Sequence, residues 1–365
     1  MIKVLRVSNH PTVEKHGIGL HCHEISETDA FETLFVSPII DENDLFIKPK
    51  NYKLKYLNIK FDKRPLGVSF FKIVQFHISR IIKLIKFSRY AIQIARSNNV
   101  DIVHIHSPMY IIVAIWGKIS RKKTCITYHG TDYLRVRNSN LYKFLSKSFL
   151  DIGFCISPIM INRMSSFHEH VVYSPNGVDS TVFIDNKKKR KKIILAVGSL
   201  KKEKSFDHLI LAFDGIKHKL SSYSLHIVGE GNMRDSLQSL VDVRRLDDNV
   251  LLCGNLNKRE LIEKYNESEV FVLSSKTEGF PKVVLEALFC GCKAISTNVG
   301  SVSTFLPEKY IIPDDSIANI SNYLLSITKP DEYSVDLNEL KVKYTWLKVI
   351  EIYANEYKNI LKRSY

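Results

Sequence analysis

The chain has 365 residues, of which 45% are hydrophobic, 25% charged and 10% aromatic, the profile of a globular protein with a full core. This excludes a disordered, collagen-like or disulfide-stapled chain, and at about 150 residues per domain it predicts two or three domains. The longest apolar run, Ile102 to Gly117, is interrupted by His104 and His106 and falls short of the roughly 18 residues a membrane span needs. The charged start at Lys3 and Arg6 and six cysteines without a CxxC pair point to a cytoplasmic protein with neither signal peptide nor zinc site. The formal charge is +15, and residues 1–180 carry most of it, with 25 Lys+Arg against 14 Asp+Glu. A basic half of this kind suits a polyanion, either nucleic acid or an acidic membrane surface.

In chain order, Lys3 to Ser8 reads as a buried strand. A loop with Gly17 and Gly19 follows, then a helical pattern to about residue 31. Thr33 to Val36, Asp101 to His106 and Thr124 to Tyr128 are the next strands. The same grammar returns after residue 192: strands at Ile193 to Val197, Leu225 to Val228, Val250 to Cys253, Val270 to Leu273 and Ala294 to Ser296, with a helix over about 205–219. Short apolar runs alternating with helical stretches predict α/β domains with parallel sheets. The run IDNKKKRKK (184–192) between the two series reads as a solvated linker, not a nucleic-acid patch. A helical pattern around Trp346, Ile350, Tyr353 and Tyr357 is expected to cross back onto the first domain. The expected division is 1–183 with about 348–365, then 193–345.

The densest signal is Ser274 to Gly291, SSKTEGFPKVVLEALFCG. A strand ends near Ser275, Pro281 suits a first helical turn, and Gly291 suits the stop. This helix therefore opens at the carboxyl end of a strand, where α/β sheets bind ligands and free amides favour an anion. Glu278 falls just outside the helix and Glu286 inside it, too far apart to share a proton.

These residues resemble the retaining glycosyltransferases of family 4, with their GT-B fold of two facing Rossmann-like domains. EGFPKVVLEALFCG is similar to the family's E-x7-E signature. VGSLKKEKSFDHLILAF (197–213), LHIVGEG (225–231), VLLCGNL (250–256), SPNGVDSTVF (174–183), DIVHIH (101–106), TYHG (127–130) and YTWLKVIEIY (344–353) resemble further family segments. The resemblance implies that Glu286 binds the ribose, and that Glu278 faces the donor sugar with Gly279, Phe280 and Pro281 around sugar and phosphate. It implies that Lys204 meets the diphosphate, that Gly19 approaches the phosphate and that His129 lies near the reacting sugar. Gly229 closes the LHIV strand on the nucleotide side, and Asn255 and Leu256 match base-contacting positions. His23 and His106 fall on the acceptor side. The family's diphosphate clamp usually has Arg where this chain has Ser199, so Lys201 or Lys202 would have to substitute; Ser205 replaces a usual Gly. Closure of the domains over the donor, with Pro175 to Lys192 as hinge, also follows from the resemblance.

Cations and helix amides aimed at a departing nucleoside diphosphate act more strongly in the transition state than in the ground state. Lys204 and the helix opening at Pro281 supply this without a cofactor or a metal, and neither Asp247-Asp248 nor Asp314-Asp315 sits in a metal-binding context. Retention is expected through same-face attack. Histidines 10, 16, 21, 23, 104 and 106 invite a metal, but strand-end and loop positions near a polar cleft account for them.

Between Asp62 and Asp101 there is no acidic residue, yet eight basic ones occur, Lys63 and Arg64 among them. On a helical wheel Val74, Ile78, Ile81 and Ile85 share one face. Lys72, Arg80, Lys83 and Lys86 lie opposite, with Phe76 and Phe87 among them, the composition of a helix that meets anionic lipid. The function expected is sugar transfer from a nucleotide-diphosphate sugar to a lipid-linked glycan in cell-surface polysaccharide (lipopolysaccharide, O-antigen or capsule) assembly, at the inner face of the cytoplasmic membrane and without nucleic acid. The rivals are an epimerase or glycan phosphorylase of the same fold, and a basic nucleic-acid-binding protein. A nicotinamide dehydrogenase is disfavoured because no GxGxxG follows either first strand.

Overall fold

The computed structural model describes residues 1–8, 17–38, 49–61, 69–130, 132–329 and 333–363. His10, His16, Asp62, Lys63, Arg64 and Thr131 lie outside the described residues. The chain divides into two compact units, Met1–Asn176 with Trp346–Tyr365, and Gly177–Thr345.

The first unit contains strands β1 (Lys3–Val7), β2 (Glu32–Pro38), β3 (Lys53–Leu57), β4 (Ile102–Ile105), β5 (Lys123–Tyr128), β6 (Ile152–Cys155) and β7 (Val171–Tyr173). All pair in parallel, in the order β3-β2-β1-β4-β5-β6-β7. Helices α1 (Gly17–Glu24), α2 (Phe70–Ser97), α3 (Ile111–Ile119), α4 (Asn140–Phe149) and α5 (Pro158–Met164) lie between strands. Strands β1, β4 and β5 are buried almost throughout, so they read as unbroken apolar runs. Edge strand β3, KLKYL, is half-exposed and alternates charge with apolar residues, which is why no strand was expected there.

The second unit contains β8 (Lys191–Val197), β9 (Ser224–Val228), β10 (Val250–Gly254), β11 (Ser268–Leu273), β12 (Lys293–Thr297) and β13 (Ile311–Ile312), in the order β10-β9-β8-β11-β12-β13. Its helices are α6 (Phe206–Ile216), α7 (Arg234–Val243), α8 (Lys258–Glu267), α9 (Lys282–Phe289), α10 (Ile317–Ile327) and α11 (Leu337–Lys343). Ile194, Ala196, Leu209, Phe213, Val270, Val272 and Ile295 join sheet and helices in one core. Both sheets are parallel Rossmann-like sheets, as expected. In each, strand order reverses between the first strand and the fourth, the place where open α/β sheets leave a crevice at the strand carboxyl ends.

The last helix, α12 (Trp346–Lys362), belongs to the first unit, as the C-terminal pattern predicts. Val349, Ile350, Tyr353, Ala354, Tyr357 and Ile360 form one helical stripe, buried against Val4, Ile102, Ile152 and Phe154.

Two expectations are corrected. The run 184–192 is not a free linker, because the second unit already begins at Gly177. Arg190 pairs with Asp185 (2.9 Å) and donates to Ser268 O (2.8 Å) and Cys290 O (2.5 Å), while Asn186 N–H donates to Asn266 Oδ1 (2.8 Å). Lys191 and Lys192 are the start of β8. The run is solvated, most of its residues being exposed, but one well-placed arginine ties it down.

Helix α2 is turned the other way round from expectation. Phe87 is fully buried, its ring against Tyr110 (5.3 Å) and Phe61 (6.3 Å), so it cannot meet lipid. Lys83 Nζ donates to Lys60 O (2.9 Å) and Arg80 to Met109 Sδ (3.0 Å). The apolar ridge is the exposed one: Phe71 (76%), Ile78 (54%) and Ile81 (52%), with Val74 and Ile82 alongside. Lys72 and Lys86 are exposed, and Phe76 is half-buried. Among the described residues no helix is long and apolar enough to cross a membrane.

Candidate functional site

In the second unit the reversal lies between β8 and β11. The segment after β8 carries Ser199 and Lys204; the one after β11 carries Glu278, Gly279, Phe280 and Pro281. The two meet. Lys204 Nζ lies 2.5 Å from Glu278 Oε1, which also accepts from Ser275 Oγ at 2.9 Å. Ser274 Oγ donates to Lys204 O (2.8 Å), and Lys276 N–H to Glu203 O (2.8 Å), so the segments are stitched along their length. Both side chains keep partial exposure, 20% and 16%, and can still reach a ligand.

Close backbone approach supports this corner. A Cβ on Gly229 would stand 1.9 Å from Gly198 O, and one on Gly231 2.3 Å from Leu200 O. Gly229 itself holds φ +143°, a conformation only glycine adopts freely. Ser205, where the resembling family has Gly, is left-handed (φ 50°, ψ 38°), and its Oγ donates to Asp315 Oδ2 at 2.8 Å. The departure from the family pattern is thus a strained position held by a side-chain bond. Ser199 is exposed, with Lys201 and Lys202 exposed beside it. Asn255 and Leu256 follow β10.

Helix α9 starts at Lys282, with Pro281 as its cap residue and Gly291 (φ +84°) just past its end. Its mouth offers fewer free amides than expected, because Lys282 N–H donates to Phe280 O (2.9 Å) and Val284 N–H to Pro281 O (3.1 Å). The Phe280 ring is buried against Phe305 (5.8 Å) and Tyr344 (5.7 Å), which leaves the backbone of 279–281 as the working surface. Glu286 is buried, accepting from Tyr265 Oη (3.2 Å) and paired with Lys282 Nζ (3.0 Å). Burial and the Glu286 charge push the Tyr265 phenol well above its usual range, so it stays a donor.

In the first unit Gly19 is not in a loop but in the first turn of α1, buried. His23, further along α1, faces Tyr52 Oη (3.0 Å) and Glu27 (3.9 Å). His106 and His129 do come together: His106 Nδ1 and His129 Nε2 are 3.2 Å apart, at the ends of β4 and β5. His21 stacks edge-on to His129 with centroids 4.8 Å apart.

Three nitrogens of His21, His106 and His129 lie within 4.8 Å of one another, a spacing open to a metal. The donor set does not fit one. His21 Nδ1 donates to Asn176 Oδ1 (2.7 Å), its Nε2 meets Tyr353 Oη (3.2 Å), and the Arg6 guanidinium lies 3.3 Å from His106 Nε2. Burial pushes His21 down to about 3 against the pull of Asn176, and holds His104, His106 and His129 well below the usual histidine range. The Arg6 charge adds to this at His104 and His106. Sequence reasoning missed Arg6; the signal was an arginine inside the buried strand KVLRV.

Residues 179–341 match the family model for glycosyl transferases group 1, and residues 54–182 that for glycosyltransferase family 4. A human relative, one component of the phosphatidylinositol N-acetylglucosaminyltransferase, is 28% identical over 272 residues, 69% of this chain and 56% of that protein. The chain thus spans little more than half the length of that relative. The N-acetyl-alpha-D-glucosaminyl L-malate synthase of Bacillus anthracis is 24% identical over 306 residues, 74% of this chain and 77% of the synthase. The solved sucrose-phosphate synthase of Thermosynechococcus elongatus matches with a TM-score of 0.78 at 18% identity, covering 100% of both chains. At that identity the likeness carries the GT-B fold alone.

Proposed function

We propose, from the premise that the chain belongs to the group 1 glycosyltransferases of family 4, that it moves a sugar from a nucleoside diphosphate sugar to an acceptor, with retention of configuration and without a metal. The observation that carries the donor site is the meeting of Lys204 and Glu278 at the strand-order reversal of the second sheet. Glu278 aims the Lys204 ammonium, and Lys204 neutralises negative charge on the departing diphosphate. The backbone of 279–281 contacts sugar and phosphate, and Glu286 contacts the ribose. The glycosidic bond breaks toward the diphosphate, whose freed oxygen accepts the proton of the acceptor hydroxyl as that hydroxyl bonds on the same face. The family resemblance assigns His129 to the reacting sugar.

The test is a thermal-shift panel of nucleoside diphosphate sugars, N-acetylglucosamine donors first because both sequence relatives are named for that sugar. It is followed by NMR of the product anomer. A charge-assisted contact contributes about 1.5–3 kcal/mol, so Lys204→Ala should weaken donor binding roughly 10- to 100-fold. Glu278→Ala should lower turnover, and Glu286→Ala nucleotide affinity. An inverted product, or full activity in both glutamate variants, would refute this reading.

The acceptor is a lipid-linked glycan of cell-surface polysaccharide assembly, reached from the inner face of the cytoplasmic membrane. One relative is named for a lipid acceptor and the other for a small acid. The exposed α2 ridge, with Lys72 and Lys86 beside it, favours the lipid. Ile78→Glu with Ile82→Glu should abolish flotation with anionic liposomes, while unchanged flotation would remove the membrane from the proposal.

A further inference from the structure

Arg6 is fully buried on an inner strand of the first sheet, and its partners among the described residues are aromatic rings, ring nitrogens and a carbonyl oxygen, not a carboxylate. The guanidinium lies over Phe31 (5.3 Å), Tyr353 (5.6 Å) and Tyr357 (5.9 Å). It donates to Ile25 O (3.3 Å), His104 Nδ1 (3.4 Å) and His106 Nε2 (3.3 Å), and its Nε finds no acceptor among the described residues. A buried cation with an idle donor is expensive to keep. Its position has a consequence beyond packing, because arginine only ever donates.

Donation from Arg6 makes His106 Nε2 an acceptor. A neutral imidazole with one accepting nitrogen carries its proton on the other. His106 Nδ1–H then donates to His129 Nε2, 3.2 Å away. His129 is left with its proton on Nδ1. We propose that Arg6 is a positioning residue that sets the tautomer of His129 through His106, so that His129 presents an Nδ1–H donor and never a basic nitrogen on that edge.

The remaining hydrogen bonds can be oriented to match. The single Nδ1 lone pair of His104 faces both Arg6 (3.4 Å) and Tyr357 Oη (2.5 Å); with either as donor, Nε2–H donates to Thr127 Oγ1 (2.8 Å). Thr127 then donates to Tyr353 Oη (3.0 Å), and Tyr353 to His21 Nε2 (3.2 Å). His21 Nδ1–H ends the chain on Asn176 Oδ1 (2.7 Å), the one arrangement that an amide oxygen permits. Two routes leave Arg6; the one through His106 meets no clash of donors, and on the other Arg6 and Tyr357 share the one acceptor of His104. Burial, with Arg6 adding its charge at His104 and His106, keeps these rings neutral, which the two-nitrogen logic needs.

Chemically, an Nδ1–H edge donates to a sugar hydroxyl or a phosphate oxygen and takes no proton from an acceptor hydroxyl. This fits proton acceptance by the leaving phosphate. The inference rests on the assignment of His129 to the reacting sugar, and its test separates the two. Full-length protein labelled with 15N-histidine is observed by long-range proton–nitrogen NMR at pH 7.5, with His129 assigned by loss of its signals in His129→Gln. The expected result is a protonated Nδ1 and a bare Nε2 at His129. Arg6→Met should mix the two tautomers, whereas Arg6→Lys, which still donates, should retain most of the wild-type signal. Turnover should fall 10-fold or more in Arg6→Met, with KM for the donor within twofold. A wild-type His129 protonated on Nε2 overturns the proposal whether or not the Arg6 variants fold, and so does an Arg6→Met spectrum identical to wild type. Changed His129 signals with unchanged turnover would uphold the tautomer relay and refute the placing of His129 at the reaction.

Discussion

Acid should unfold the first unit selectively, at a pH where most globular domains are secure. His21, His104, His106, His129 and His168 are buried there. Burial lowers every one: His21 and His168 to about 3, and the other three well below the usual range. When the folded pKa is depressed, the unfolded chain binds protons that the folded one refuses. Stability is therefore complete above about pH 6.5 and drains away as pH falls from there toward about 3. At pH 5.5 each unfolded histidine gains about 1.4 kcal/mol by protonation, so five gain about 7 kcal/mol. That rivals the 5–15 kcal/mol that holds a typical domain together. The chain has two tryptophans, Trp116 and Trp346, and both belong to the first unit, so their emission reports that unit. Urea titrations followed by tryptophan emission at pH 7.5, 6.5 and 5.5 should show midpoints collapsing between the last two. His168→Asn should reduce the pH slope by about a fifth, whatever its effect at pH 7.5. Equal midpoints at pH 7.5 and 5.5 would show that these rings already share protons in the folded state, and the burial argument would fall.

Gly229→Ala places a methyl 1.9 Å from a backbone oxygen that cannot move cheaply. It should cost more than about 4 kcal/mol or displace the segment after β8; either way isothermal titration should show donor binding lost, and a variant binding normally would refute the close approach. At Ser205 both the left-handed backbone and the bond to Asp315 are testable. Ser205→Gly should melt above Ser205→Ala by about 1 kcal/mol of stability, since glycine carries no cost at positive φ; the reverse order would mean the position is not strained. Tyr265→Phe removes the phenol from Glu286 and should loosen nucleotide affinity several-fold at unchanged turnover, measured by the KM-to-kcat split.

The amino-acid sequence by itself determined the two parallel sheets, the return of the last helix to the first unit and the segment around Glu278 to Glu286. Each of these depends on local patterning. A buried parallel strand is a short unbroken apolar run, and a docked helix is a stripe at a spacing of three and four. Such patterns state which face is apolar but not whether that face finds a partner. Helix α2 shows the difference: its periodicity was correctly helical, yet its isoleucine ridge is exposed and Phe87 lies in the core. The basic run at 184–192 is solvated, yet it is no free linker, because Arg190 meets carbonyl oxygens about 80 and 100 residues away. Arg6 and His106, a hundred positions apart, are likewise neighbours only because β1 pairs with β4. Contacts at such separations follow from strand order, which no local pattern encodes, and those contacts decide the protonation of the histidines.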